Sequence, residues 1–222
     1  DDYDKENFTY SASNDTPEYI FAPYEAFRVP FAFQENYNDT YAIDSVMFYA
    51  DKEYQKGDTV TLFSLNSEYP FTYILTDGLD VNDSIKVQDV ISSTMIVPAR
   101  SSSSISEKTS LYLTRDALKF NKKADWWKFA TLPSNPNVIT LSQDGDIAFV
   151  GTIDGKVYKY DNIAAVRDTA TVKLMNATEI DATPFNGQAI TSIAIDPQNN
   201  NNVLVTLGNY GNDNYVYYST DG

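Results

Sequence analysis

From Val138 to Tyr218 the sequence keeps one rhythm, short runs of β-branched and aromatic residues broken by turn-forming pairs. Val138-Ile139-Thr140-Leu141 reaches Gln143-Asp144-Gly145, Ile147-Ala148-Phe149-Val150 reaches Asp154-Gly155, and Val157-Tyr158-Lys159-Tyr160 ends at Asp161-Asn162. Such runs are too short for helices, and Asp-Gly readily takes the positive φ of a tight hairpin turn, so the segment predicts an antiparallel meander. Thr171-Val172-Lys173-Leu174 is expected to supply its fourth strand. The rhythm then restarts, with strands predicted over residues 190–195, 203–207 and 214–218. Asp196-Pro197-Gln198 and the four asparagines after it are read as the first turn of this unit. Its fourth strand is missing, so the chain is expected to be cut within a hairpin.

A similar unit precedes these two. Strands are predicted over residues 93–97, 109–114 and 125–129, with the Ser-rich stretch 101–106 as a loop. The turn at Arg115-Asp116 matches Asp161 and Asp221 in role, and the three recur at intervals of 45 and 60 residues. Repeats of roughly 40–50 residues with four antiparallel strands each are the pattern of β-propeller blades. The fold class expected is therefore all-β, a propeller of four-stranded antiparallel blades. Residues 91–222 would hold the blades, the last one truncated. Residues 1–90 would form an N-terminal β region, either degenerate blades or a small β-sandwich, with extended runs at 45–49, 59–63 and 71–75. The aromatic run Tyr19-Ile20-Phe21-Ala22-Pro23-Tyr24, with Phe27, Phe31 and Phe33, is assigned to core packing that closes the first blade.

Composition narrows the chemistry. Without Cys or His the chain has no thiolate nucleophile, no Ser-His-Asp relay and no His-ligated metal. Sixteen basic against thirty-one acidic residues give a net charge of -15, which opposes binding to nucleic acid. No apolar run approaches the ~20 residues of a membrane-spanning helix. Asp77-Gly78-Leu79-Asp80-Val81-Asn82-Asp83 and Asp144-Gly145-Asp146 group oxygen ligands of the kind calcium prefers, but turn chemistry explains them better, and no cofactor or metal is expected. Asn-x-Ser/Thr sequons at Asn7, Asn14, Asn38, Asn82 and Asn176 are read as incidental.

The terminal Ser219-Thr220-Asp221-Gly222 resembles the first half of the Asp box, Ser/Thr-x-Asp-x-Gly-x-Thr-Trp, the hairpin signature of the propellers of sialidases, sortilin-type receptors and xyloglucanases. Ser219, Asp221 and Gly222 are on this resemblance structural residues. Thr114-Arg115-Asp116 keeps the Thr-x-Asp alone. The acidic Asp1-Asp2-Tyr3-Asp4 start and the aromatic-rich sequence after it resemble the mature part of a Bacteroidetes surface lipoprotein. That implies an outer-membrane surface or secreted location and a lipid anchor upstream of Asp1.

No catalytic residue can be carried over from these families. A sialidase-like arginine triad would need three of Arg28, Arg100, Arg115 and Arg167 to converge, and solvated surface arginines are the expectation instead. A glycosidase needs two carboxylates at a defined separation, and thirty-one acids do not single out a pair. Trp126 and Trp127 are the only tryptophans, and on a strand they point to opposite faces, so one would be buried and the other a candidate ligand platform; packing of both, within the core or at a blade edge, is the favoured reading. The sequence thus favours a noncatalytic module that binds a glycan or a surface protein. A glycoside hydrolase with its acids partly beyond Gly222 is the alternative.

Overall fold

The computed structural model describes residues 29–100, 109–119, 123–180, 183–208 and 213–222. Among the described residues it is an all-β structure of fifteen strands with short 3-10 turns. One four-stranded antiparallel sheet runs in the order β1 (Ala32–Asn36), β6 (Ser92–Arg100), β7 (Thr109–Thr114), β8 (Trp127–Leu132). A second is the meander β9 (Pro136–Leu141), β10 (Ala148–Thr152), β11 (Val157–Asp161), β12 (Asn176–Ile180). A third holds β13 (Ile190–Asp196), β14 (Asn199–Leu207) and β15 (Val216–Ser219). The leading strand of the second sheet, β9, lies against the leading strands of the other two, β1 and β13.

Packing follows from the strand period of two. On β10, Ala148 and Val150 face a core shared with Ile96, Leu111 and Leu113 of the first sheet. The residue between them, Phe149, faces a second core with Ile190, Ile193, Val203 and Val205 of the third. β10 is therefore buried on both faces, which is why it reads Ala-Phe-Val-Gly-Thr without polar alternation. Gly151 sits where neighbouring side chains press on the strand. A Cβ there would lie 2.4 Å from Ile190 Cγ2 and 2.8 Å from Val138 Cγ1.

The hairpins use one turn device three times. Ser142, Thr152 and Ser219 each donate their hydroxyl to the aspartate two residues on, Asp144, Asp154 and Asp221, at 2.5, 2.5 and 2.6 Å. Gly145, Gly155 and Gly222 follow with φ of 72°, 84° and 86°. The side-chain bond closes the loop locally, and glycine takes the left-handed backbone a Cβ would penalise.

Several expectations need correction. The fourth strand of the second sheet is Asn176–Ile180, whereas Val172–Leu174 is a 3-10 turn. Thr171 is held in a loop: its hydroxyl accepts the Arg167 and Asp168 amides, and its own amide donates to Asp168 Oδ1. The asparagines after Gln198 belong to β14 and not to the turn. Asn202 donates to Asp196 across the hairpin, and Asn200 reaches Asp144 of the second sheet, so their amides serve as cross-strand links. Phe31 and Phe33 are 60% and 41% exposed and not core residues, because β1 turns Ala32 inward instead. The segment 19–27 and the loop 101–106 lie outside the described residues.

Between β1 and β6 the chain makes a detour. β2 (Ser45–Tyr49) pairs with β5 (Ser84–Gln88), and β3 (Thr59–Phe63) with β4 (Pro70–Ile74). A single register runs throughout: Ser45 opposite Gln88, Tyr54 opposite Leu79, Phe63 opposite Pro70. The four strands are thus one long two-stranded ribbon. It doubles back on itself around its own core of Val46, Val60, Leu62, Leu75, Leu79 and Val87. Asp89 at its base, 0% exposed, clamps the tip by accepting from Ser64 Oγ at 2.8 Å and from the Leu65 amide at 2.7 Å.

Candidate functional site

Where the ribbon meets the first two sheets, charged side chains from four separate segments surround a cavity of about 160 Å³. Asp39 and Asp44 come from the lead-in between β1 and β2, and Asn66 from the ribbon tip. Arg115, Asp116 and Lys119 follow β7, Asp125 and Trp127 open β8, and Arg167 follows the 3-10 turn after β11. The Asp89 clamp is what brings Asn66 here, and Asn66 Nδ2 then donates to the Ile91 carbonyl at 2.7 Å.

Ion pairs tie the ribbon base to both sheets. Arg167 Nη2 donates to Asp39 Oδ2 at 2.6 Å, and that oxygen also accepts from Ser92 Oγ at 2.6 Å. The other Asp39 oxygen accepts the Tyr41 amide. Lys119 Nζ reaches Asp44 at 2.5 Å and Asp116 at 3.1 Å. Burial opposes the Lys119 charge, yet the bonds from Asp44 and Asp116 outweigh it and raise its pKa. For Arg167 the balance is reversed, and burial lowers its pKa despite Asp39.

Arg115 is the most constrained group. It is 8% exposed, and its guanidinium donates to Thr94 Oγ1, to the Ile163 carbonyl at 2.5 Å and to the Val166 carbonyl at 3.2 Å. Burial lowers its pKa to about 9, Arg167 adds like-charge repulsion, and Asp39 and Asp146 act in the other direction. Among the described residues no carboxylate forms an ion pair with it. The two described arginine side chains, Arg115 and Arg167, therefore share one polar junction instead of standing solvated at the surface. Arg28 and the Arg100 side chain lie outside the described residues.

Of the two tryptophans, Trp126 is 2% exposed and packs with Val97, Ala99 and Tyr112. Its neighbour Trp127 is half-buried and lines the cavity, the opposite-face arrangement that a strand imposes. Ser219, Asp221 and Gly222 close the turn after β15, away from this site. A groove of about 380 Å³ beside that turn is lined by Val157 and Ile180 of the second sheet and by Phe185, Val205 and Tyr217. In the acidic turn 77–83, Asp83 accepts the Asp80 amide at 2.9 Å. Among the described residues no group of three or more acidic side chains is placed to hold a metal ion.

Asp39, Asn66, Arg115 and Arg167 were not singled out as site residues by their sequence setting. The signal that exists is weak: Arg115 and Arg167 each follow directly on an apolar run, Leu-Tyr-Leu-Thr and Ile-Ala-Ala-Val, where a surface charge is out of place. No family model matches the chain, and no curated protein is similar to it.

Proposed function

We propose that the chain is part of a β-propeller on the bacterial cell envelope, lipid-anchored or secreted, that binds a glycan or a surface protein without transforming it. The propeller reading is supported by three successive antiparallel sheets whose leading strands β1, β9 and β13 neighbour one another, the arrangement of strands around a propeller axis. The Asp-box resemblance at Ser219, Asp221 and Gly222 belongs to the same reading.

The observation that carries the binding role is the cavity lined by Trp127, Arg115 and Asn66. Its acids serve as acceptors: Asp39 holds Arg167 and Ser92, and Asp116 holds Lys119 and the Asp125 amide. A glycosidase acid must present a proton to a leaving group, and these two carboxylates are engaged in holding donors. The net charge of -15 sets nucleic acid aside as partner.

Affinity electrophoresis of the full chain through gels containing a panel of polysaccharides tests the role. Retarded migration in at least one gel, with no reducing ends released, is expected. Release of reducing ends would move the assignment to the glycoside hydrolase with catalytic acids partly beyond Gly222. Trp127→Ala should weaken retardation by about tenfold in affinity, the scale of losing one buried aromatic contact; unchanged migration would remove Trp127 from the site.

A further inference from the structure

We infer that the cavity under the ribbon takes a single neutral, hydroxyl-rich unit about the size of one sugar ring, with the ribbon itself forming one wall. This rests on the binding role proposed above and names its ligand class. A guanidinium has five N–H groups, and Arg115 gives three of them to Thr94, Ile163 and Val166. Two remain on a buried cation with which no carboxylate among the described residues forms an ion pair. Lys119 has one more N–H after Asp44 and Asp116.

The same lining carries an acceptor. Asn66 Nδ2 is fixed on the Ile91 carbonyl, which identifies the other amide atom as Oδ1. That oxygen has no hydrogen-bond partner, and Asn66 is 3% exposed. Leaving such a group unsatisfied costs about 1–3 kcal/mol, so an occupant that donates to it gains what the empty cavity lacks.

A ligand here must therefore accept from Arg115 or Lys119 and donate to Asn66. Carboxylate, sulfate and ionised phosphate oxygens only accept, and would meet Asp39, Asp44, Asp116 and Asp125 around the same cavity. An ammonium only donates, and would meet Arg115, Lys119 and Arg167. The hydroxyl does both. Trp127 adds an apolar face against which the C–H side of a ring can lie. A volume of about 160 Å³ equals roughly five waters at liquid density, room for one ring and not for an oligosaccharide.

Saturation-transfer NMR on the full chain tests this with methyl β-D-glucoside, methyl β-D-galactoside and methyl β-D-xyloside as neutral probes. N-acetylneuraminic acid and choline serve as the charged ones. At least one neutral glycoside should show transfer to its ring protons, and its affinity should fall about tenfold in both Asn66→Ala and Trp127→Ala. Each variant is checked for a cooperative melt, and either alone suffices if the other fails to fold. Stronger binding of N-acetylneuraminic acid or choline than of every neutral probe overturns the ligand class. Neutral binding undiminished in the folded variants overturns the cavity as its place while leaving the broader role intact. Silence from all three glycosides overturns the inference by itself, and the polysaccharide gels then decide the broader role separately.

Discussion

The stacked sheets and the ribbon solve the same problem by different means. β10 of the middle sheet is buried on both faces and gains stability from neighbours far away in sequence, as Val150 does with the first sheet and Phe149 with the third. A ribbon strand is buried on one face only, against residues of the same ribbon, and leaves Met47, Tyr49, Phe63 and Ile74 exposed on the other. Two strands alone are marginal in water. The ribbon escapes that limit by folding over and pinning its tip to Asp89. The sheets are thus held by apolar contacts between distant segments, and the ribbon by its own small core together with one buried carboxylate that clamps its tip.

The contrast can be broken from either side. Gly151→Ala places a methyl 2.4 Å from Ile190 in the tightest sheet contact and should cost about 3 kcal/mol in urea unfolding, since overpacking a full core forces the backbone apart. A loss under 1 kcal/mol would show that the sheets separate more easily than their packing implies. Asp89→Ala should cost about 2 kcal/mol by stranding buried donors, and its effect should be local. Hydrogen exchange would then show ribbon amides at β3 and β4 losing protection while β7 and β10 keep theirs. Equal loss in both would mean that ribbon and sheets unfold as one unit.

A smaller effect separates the turns from the core. Burial opposes the Asp144 charge, but bonds from Ser142, the Asp146 amide and Asn200 outweigh it and lower its pKa. A lowered folded-state value means that the stabilisation is present above the unfolded carboxylate range, about pH 4, and is lost as pH falls through the folded value. Asp144→Asn should therefore flatten the acid limb of the stability profile slightly, measured by thermal melts from pH 6 downward. An unchanged limb would place the acid sensitivity elsewhere.

The sheets were largely legible because their turns are local: Ser142-Gln143-Asp144-Gly145 closes a hairpin with its own atoms wherever the chain goes next. What escaped the sequence was set by distant partners. β1 carries a weak pattern by itself and becomes a sheet strand only opposite β6, across the whole ribbon. Three of the ribbon's four strands were visible, at 45–49, 59–63 and 71–75, but β5 was missed, and the nested pairing depends on Tyr54 meeting Leu79, which no turn motif announces. At the site, Trp127 stood out as one of two tryptophans. Asp39 and Arg167 meet over a separation of 128 residues and carry no local mark of it.

The ribbon leaves and re-enters at one doorway, where the Asp89 amide donates to the Asp44 carbonyl at 3.0 Å. The residues from Ser45 to Gln88 therefore leave and rejoin the sheets at adjacent strand ends. Through Asn66 they also reach the cavity, so two structures that fold around separate cores meet in one lining.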